Sequence, residues 1–368
     1  MKDINNFLNI LKIINHHGFE AYLVGGIVRD YLLGHPINDC DITTNARPEQ
    51  LKDIFKHHKI IDIGQKMGTL KIFVDKEWVE ITPFRKEGTY LKHRFPNQIK
   101  FSNNLQDDLI RRDFTINALC MDYHQNIIDH HQGLYDLKHK IIRAIGNPEK
   151  RFSEDALRIL RGLRFSAKLN FDIEENTKNA LFKSKDLLNN ISIERKIDEL
   201  DKIINSKHCL NILKEYQDIF KTFIKLKNLD DNINKLDSDE FYAYTIDNLE
   251  LLKKLKFSNQ RIIKIKALKN ALDINFNHDD AFIEHLNLNK HLKDILDFKS
   301  KLDNFNYHHK YQQLSFRIVE KLAINGNDLL NLGYCQKDIK ITQNKLIELI
   351  NQNKLINNRE AIIKYLQP

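Results

Sequence analysis

Glycine and proline are scarce in this chain, at 12 and 6 of 368 residues. That scarcity argues against a loop-rich all-β fold and for long helices. Cysteine is scarcer still, and Cys40, Cys120, Cys209 and Cys335 are widely scattered. No CxxC pair occurs, which argues against a zinc module and a disulfide framework. No apolar run reaches the roughly eighteen residues of a spanning helix. The opening residues, Met1-Lys2-Asp3-Ile4-Asn5-Asn6, contain no apolar signal segment, so the cytoplasm is the expected compartment. Fixed-period repeats and low-complexity tails are missing too. Neither sign of charge dominates: Lys and Arg number 58 against 50 Asp and Glu, a net +8. That is compatible with a polyanionic partner but modest for so long a chain. With 42% hydrophobic and 29% charged residues, the composition is that of a globular chain of about two to four domains.

The chain changes character near residue 150. Before it, short β-branched runs alternate with turn signals. Ala21–Val24 reads as a strand ending at Gly25-Gly26, and Ile27–Leu33 as a helix stopped by Gly34. Asp39–Thr43 reads as a second strand and Pro48–His57 as a helix. Lys71–Val74 and Trp78–Phe84 read as a hairpin around Asp75-Lys76-Glu77. After residue 150 the periodicity is helical. It predicts helices over Ser153–Lys168, Glu175–Ser184, Ser192–Asn205, Asp247–Leu255, Asn259–Leu272, Arg317–Ala323 and Lys345–Asn351.

Asp39-Cys40-Asp41 carries the first chemical signal. Residues i and i+2 of a strand share a face, and two carboxylates on one face repel unless a cation neutralises them. Hard oxygen ligands of this kind suit Mg²⁺. Alone, such a pair is more often merely a strand–loop junction. Upstream, Gly25-Gly26 lets a backbone approach phosphate, and Arg29 stands one turn into the following helix. Glu80, on the Trp78–Phe84 strand, is a third carboxylate that joins the pair if that strand lies beside Asp41.

GGIVRDYLLG followed by DCD resembles the signature of polymerase-β-type nucleotidyltransferases, and more narrowly the class II tRNA nucleotidyltransferase/poly(A) polymerase family. RRDFTINAL (Arg111–Leu119), the run Asp136–Leu169, SIERKIDEL (Ser192–Leu200) and NREAIIKYL (Asn358–Leu366) are similar to further family motifs in the same order. The resemblance is strong over about the first 200 residues. It implies an α+β fold: a nucleotidyltransferase head of mixed sheet and helices, then an all-α neck, body and tail. The expected divisions are a catalytic head over 1–145, a nucleotide-reading neck over 146–205, a body over 206–275 and a tRNA-binding tail over 276–368. By motif, Asp39 and Asp41 would bind Mg²⁺; Glu80, from its strand position, is counted with them as a catalytic candidate. Gly26 and Arg29 would contact the triphosphate, and an arginine of the pair Arg111 and Arg112 would help bind the nucleotide. Asp155, Arg158, Arg161 and Arg164 would form the nucleotide-reading helix.

The predicted helix Ser153–Lys168 supports that assignment independently. At about 100° per residue, Ala156, Ile159, Leu160, Leu163 and Ala167 face a core. Glu154, Asp155, Arg158 and Arg161 share an arc of about 120° on the other side, with Arg164 at its margin and Ser153 as N-cap. A solvated stripe of ion pairs is the plain alternative. Cytosine and adenine both present an amino donor beside a ring-nitrogen acceptor, whereas uracil and guanine reverse that polarity. An Asp–Arg pair therefore accepts C and A and rejects U and G, with Glu154 orienting the arginine. The segment Phe84–Phe101 reads as a mobile loop, or else as an ordinary surface hairpin. It resembles the loop that switches relatives from C to A. Arg94 and Pro96 match the family's pattern there, whereas its acidic position has no clear counterpart.

The function expected is template-independent addition of C, C and A to the 3′ end of tRNA from CTP and ATP, with pyrophosphate released. A third carboxylate or bulk water takes the proton. The alternatives are an A-adding enzyme or poly(A) polymerase, and an inactive RNA-binding protein. The oligomeric state stays open, with a homodimer as one option. His278-Asp279 reads as a helix start rather than a metal site, and Phe114, Phe165 and Tyr123 as core rather than stacking platforms.

Overall fold

The computed structural model describes residues 4–37, 39–64, 67–88, 90–91, 95–96, 99–287, 289–315 and 318–367. The chain divides into two compact units, 1–225 and 226–368.

The first unit opens with α1 (Ile4–His16), whose Phe7, Leu8, Ile10, Leu11 and Ile14 are buried on one side. The strands that follow are β1 (Ala21–Val24), β2 (Asp41–Thr44), β3 (Lys59–Gly64), β4 (Thr69–Val74) and β5 (Glu77–Pro83). A side arm carries β6 (Arg85–Glu87), β7 (Tyr90–Leu91), β8 (Phe95–Pro96) and β9 (Ile99–Phe101), and β10 (Cys120–Met121) and β11 (Ile127–Ile128) return to the main sheet. The order of that seven-stranded sheet is β11-β10-β1-β2-β5-β4-β3. Its only parallel pair among the described strands is β2 with β5, in the register Asp41↔Glu80. Glu80 therefore lies beside Asp41, as the catalytic reading requires. Asp75 and Lys76 both take positive φ, 49° and 67°, as a tight two-residue hairpin needs.

The helices of this unit continue as α2 (Gly26–Leu32), α3 (Pro48–Ile54), α4 (Leu105–Leu109), α5 (Gly133–His139), α6 (Pro148–Glu154), α7 (Leu157–Leu169), α8 (Glu175–Ser184) and α9 (Ile193–Ile204). α8 falls on its predicted span. The predicted helix Ser153–Lys168 does not: two helices meet at Asp155, whose φ −136° and ψ 103° are extended. The first begins earlier, with Pro148 at its first position and Asn147 accepting from Lys150 N at 3.0 Å. Ser153 is thus not an N-cap; its Oγ donates to Lys150 O at 2.8 Å. At the start of α7, whose N-cap position is Ala156, Asp155 Oδ1 accepts from Leu157 N at 3.1 Å. The core face survives the break, and Ala156, Ile159, Leu160, Leu163 and Ala167 are all buried.

Among the described residues of Phe84–Phe101, β6 pairs with β9 and β7 with β8, both antiparallel. Arg94 lies outside the described residues, as does any side-chain account of Pro96.

The second unit is helical. Asn259–Leu272 matches expectation, and His278 caps a helix over Asp279–Leu286. The helix expected over Asp247–Leu255 shrinks to Leu251–Lys254. The helix expected over Arg317–Ala323 does not form over the described residues 318–323. There Asn287 Oδ1 takes Val319 N at 2.7 Å and Asn357 Oδ1 takes Ala323 N at 2.9 Å. Side-chain acceptors thus replace the helix ladder, while Val319 and Leu322 stay in a core with Leu329, Leu346 and Ile362.

Candidate active site

One cleft of about 710 Å³ in the first unit brings together nearly every residue singled out from sequence. Gly26, Arg29, Asp39, Asp41, Arg111, Arg112, Asp155, Arg158, Arg161 and Arg164 all line it. Glu80 does not. Its carboxylate turns to Lys71 on β4, at 3.5 Å.

The turn after β1 brings the chain close to this wall. Gly25 has φ +79°, and a Cβ there would stand 3.3 Å from Arg112 Nη1. One turn on, Arg29 is 3% exposed. Its Nε donates to Asp30 Oδ1 at 2.8 Å and its Nη1 to Asn117 Oδ1 at 2.6 Å. Asn117 Nδ2 in turn donates to Asp113 Oδ1 at 3.1 Å. Asp113 Oδ2 receives Arg161 Nε at 2.7 Å and Nη2 at 2.6 Å. Burial opposes the charge on Asp113, but Arg161 and the hydrogen bonds outweigh it and hold the carboxyl well below its usual range.

Asp108 is fully buried and anchors both motif arginines. Its Oδ1 pairs with Arg111 Nη2 at 2.6 Å and its Oδ2 with Arg112 Nη2 at 3.0 Å. Burial pushes its pKa up, and the two arginines together pull it below the usual value. Thr43 Oγ1 adds a donor at 3.2 Å.

Asp39 and Asp41 stand exposed on the cleft wall, with Cys40 buried between them. The alternation holds although Asp39 precedes the strand. The Asp41 carboxyl is pushed up by desolvation and by Glu80 and Asp39, against the pull of Arg112 and Arg161. Exposed oxygens that repel one another this way fit a divalent cation. Among the described residues, no three His, Cys, Asp or Glu groups converge as a ready metal cage, so phosphate or water oxygens would complete the shell.

The break between α6 and α7 turns Asp155 toward the cleft while Arg158 reaches back. Arg158 Nη1 donates to Glu154 Oε2 at 2.9 Å, and Nη2 to Arg111 O at 2.7 Å. Glu154 thus orients Arg158, and it holds Arg151 as well, at 2.9 Å.

Several lining residues were not picked out from sequence. Arg195, Lys202 and Ser206 border the cleft at seven- and four-residue steps along and just past α9. That helical spacing inside and after SIERKIDEL was the available signal. Arg195 Nη2 lies 3.8 Å from Asp155 Oδ2. Phe165, read as core, is buried but also lines the cleft, whereas Tyr123 is half-buried against His124. The lining carries nine Lys or Arg against five Asp, an environment for a polyanion. No described helix is long and apolar enough to cross a membrane.

A family model for the poly(A) polymerase head domain matches residues 21–143. A second, for a probable RNA- and SrmB-binding site of polymerase A, matches 170–218. A CCA-adding enzyme of Streptococcus mutans is 50% identical over 201 residues, which are 55% of this chain and 50% of that protein. One of Ligilactobacillus salivarius is 38% identical over 97% of this chain and 94% of its own. The crystal structure of the Bacillus stearothermophilus CCA-adding enzyme in complex with CTP superposes with a TM-score of 0.81. It is 28% identical and covers 100% of this chain and 97% of its own. Fold, motif order and near full-length identity together establish that the chain belongs to the family of CCA-adding enzymes, within the tRNA nucleotidyltransferases and poly(A) polymerases.

Proposed function

We propose that this chain adds C, C and A, without a template, to the 3′ end of tRNA from CTP and ATP, releasing pyrophosphate. The observation that carries the reading is the cleft itself: two exposed carboxylates on one wall, a carboxylate and an arginine at the α6–α7 break, and cations between.

In this reading the 3′-hydroxyl oxygen of the tRNA attacks the α-phosphorus, its proton passes to a third carboxylate or bulk water, and the bond to the pyrophosphate oxygen breaks. Asp39 and Asp41 would hold Mg²⁺, which when bound would supply acidification of the hydroxyl and neutralisation of charge on the leaving group. Glu80, paired with Lys71, raises the negative potential at Asp41 from the next strand. Arg29, Arg111 and Arg112 neutralise the triphosphate, the first beside the open backbone at Gly26. Asp155 accepts from the amino group of C or A, and Arg158, held by Glu154, donates to the ring nitrogen. Arg161 and Arg164, on the same nucleotide-reading helix, stand with Arg29 about the Phe165 ring and add positive charge to the cleft. Uracil or guanine would leave like groups opposed in a site that cannot rehydrate them. Positioning and charge neutralisation suffice for phosphoryl transfer of this kind.

We assign catalysis to residues 1–145, base reading to 146–205 and tRNA holding to 206–275 and 276–368. The Phe84–Phe101 segment assists the change from C to A, and the reaction belongs in the cytoplasm. The test is incorporation on tRNA transcripts lacking CCA, CA or only A, each offered CTP, ATP or both with Mg²⁺. Ordered completion to CCA, stopping there, is the expected result. A single A added only to the transcript ending in CC would mark an A-adding enzyme, and long tails from ATP alone a poly(A) polymerase. tRNA binding without incorporation would mark an inactive RNA-binding protein.

A further inference from the structure

Phe165 sits on α7 in the cleft and is 6% exposed. The guanidinium carbons of three arginines lie over its ring, at 5.2 Å for Arg29, 5.5 Å for Arg161 and 4.5 Å for Arg164. Two of them share its helix; Arg29 arrives from α2. Each has its own acid: Asp30 for Arg29, Asp113 for Arg161 and Glu199 for Arg164. The ring is what the three have in common.

The plane of that ring is fixed from behind. Phe114, fully buried, meets it edge-to-face at 5.8 Å and 79°. Phe114 is itself pressed against α7 at Gly162, where a Cβ would come 3.0 Å from Phe114 Cζ. The crowding of like charge is visible at Arg164. Burial pulls its pKa down, and Arg161 and Arg29 pull the same way against Glu199. Arg164 Nε lies 3.3 Å from Glu199 Oε2 without hydrogen-bonding geometry, so this buried donor has no hydrogen-bond partner among the described residues.

We propose that Phe165 is a positioning residue for the triphosphate: the face of its ring gathers Arg29, Arg161 and Arg164 into one cationic cluster. This rests on the reading of the cleft as a nucleoside triphosphate site. An aromatic face is negative and attracts guanidinium, most strongly where water is excluded. Here it offsets part of the repulsion among three cations, each of which is also paired with its own acid. The triphosphate is common to CTP and ATP, whereas the base is read at Asp155 and Arg158. Weakening the ring should therefore weaken both nucleotides alike and leave base choice unchanged.

The test replaces Phe165 in the full chain by phenylalanine bearing one, two and three ring fluorines, which drain the ring face with little change of shape. Binding of CTP and of ATP is measured, with the C-to-U incorporation ratio and the thermal midpoint. Both dissociation constants should climb together with each fluorine, by about tenfold at the third, with ratio and midpoint unmoved. Phe165→Trp should bind both nucleotides and Phe165→Leu should lose affinity for both. Should Phe165→Leu fail to fold, the fluorine series still decides. Affinities flat across that series would overturn the inference alone. A rise for only one nucleotide would also overturn it, because the ring would then be touching the base. A native chain that binds neither nucleotide would overturn the functional reading and this inference with it.

Discussion

Asp155 has two tasks, and a single substitution can separate them. Its Oδ1 takes Leu157 N in the first turn of α7, and its Oδ2 faces Arg195 at the cleft. Asparagine keeps an accepting oxygen but offers the base an amide that can present a donor. Asp155→Asn should therefore keep the thermal midpoint while the preference for CTP over UTP falls, by about 10- to 100-fold for one polar contact. Single-turnover incorporation of each nucleotide checks this, and unchanged selectivity would end the base-reading argument. Asp155→Ala should lose selectivity and about 1 kcal/mol of stability as well. Asp41→Asn should abolish incorporation and leave tRNA binding intact. Mg²⁺ should raise the midpoint of the native chain more than that of this variant, since the variant keeps only part of the repelling set around Asp41. Asp113 contributes a pH dependence of its own. Its carboxyl titrates below the unfolded value, so its contribution is present above about pH 4 and fades as pH falls toward the folded pKa. Asp113→Asn strands a charged Arg161 that is 34% exposed, so the cost should be nearer 2 than the roughly 3–5 kcal/mol of a sealed pair. The gap between native and variant denaturation midpoints should narrow as pH is lowered below about 4.

The elements were legible where one local rule governed them. β1 ends at its glycines, α8 and Asn259–Leu272 fall where their periodicity puts them, and Asp39 and Asp41 keep their alternation about Cys40. Errors arose where a side chain competed with the backbone. Asp155 takes Leu157 N and splits one predicted helix into two; asparagines take Val319 N and Ala323 N and prevent another. Asn147-Pro148 was a start signal for α6 that apolar spacing alone outweighed. The cleft was legible in its motif residues but not on α9, because Arg195, Lys202 and Ser206 gain meaning only once that helix packs beside α7. Gly162 belongs to the same packing. An alanine in a helix interior ordinarily gains about 1 kcal/mol over glycine. Here the added methyl would stand 3.0 Å from Cζ of the fully buried Phe114, which can give way only by shifting its neighbours, and overpacking costs about 1–3 kcal/mol. Gly162→Ala should therefore fail to stabilise, and its displaced Phe114 should tilt Phe165 and raise the KM for both nucleotides. A higher midpoint with unchanged KM would show that the contact is loose.

At the scale of the whole molecule, charge is distributed by task rather than in bulk. The chain is only +8, yet one cleft gathers nine basic side chains, and most of them are already paired with buried or half-buried acids. Paired cations fixed in a recess bind a triphosphate with little released salt, because the protein has supplied much of the compensation in advance. A tRNA held by shape and phosphate contacts over an open surface releases a condensed counterion at almost every contact. The two substrates of one reaction should therefore answer salt differently. Between about 50 and 200 mM KCl, the KM for tRNA should rise by tenfold or more, whereas the KM for CTP should move by only about twofold. Steady-state incorporation at several salt concentrations, with each substrate varied in turn, gives both slopes. The tRNA slope divided by about 0.7–0.9 counts the phosphates contacted. Equal slopes would mean that the arginines of the cleft are free to exchange counterions, contrary to the pairing seen at Asp30, Asp108, Asp113 and Glu199. A flat tRNA slope would mean that the acceptor end is held by neutral contacts, and the assignment of residues 206–368 to phosphate binding would fall.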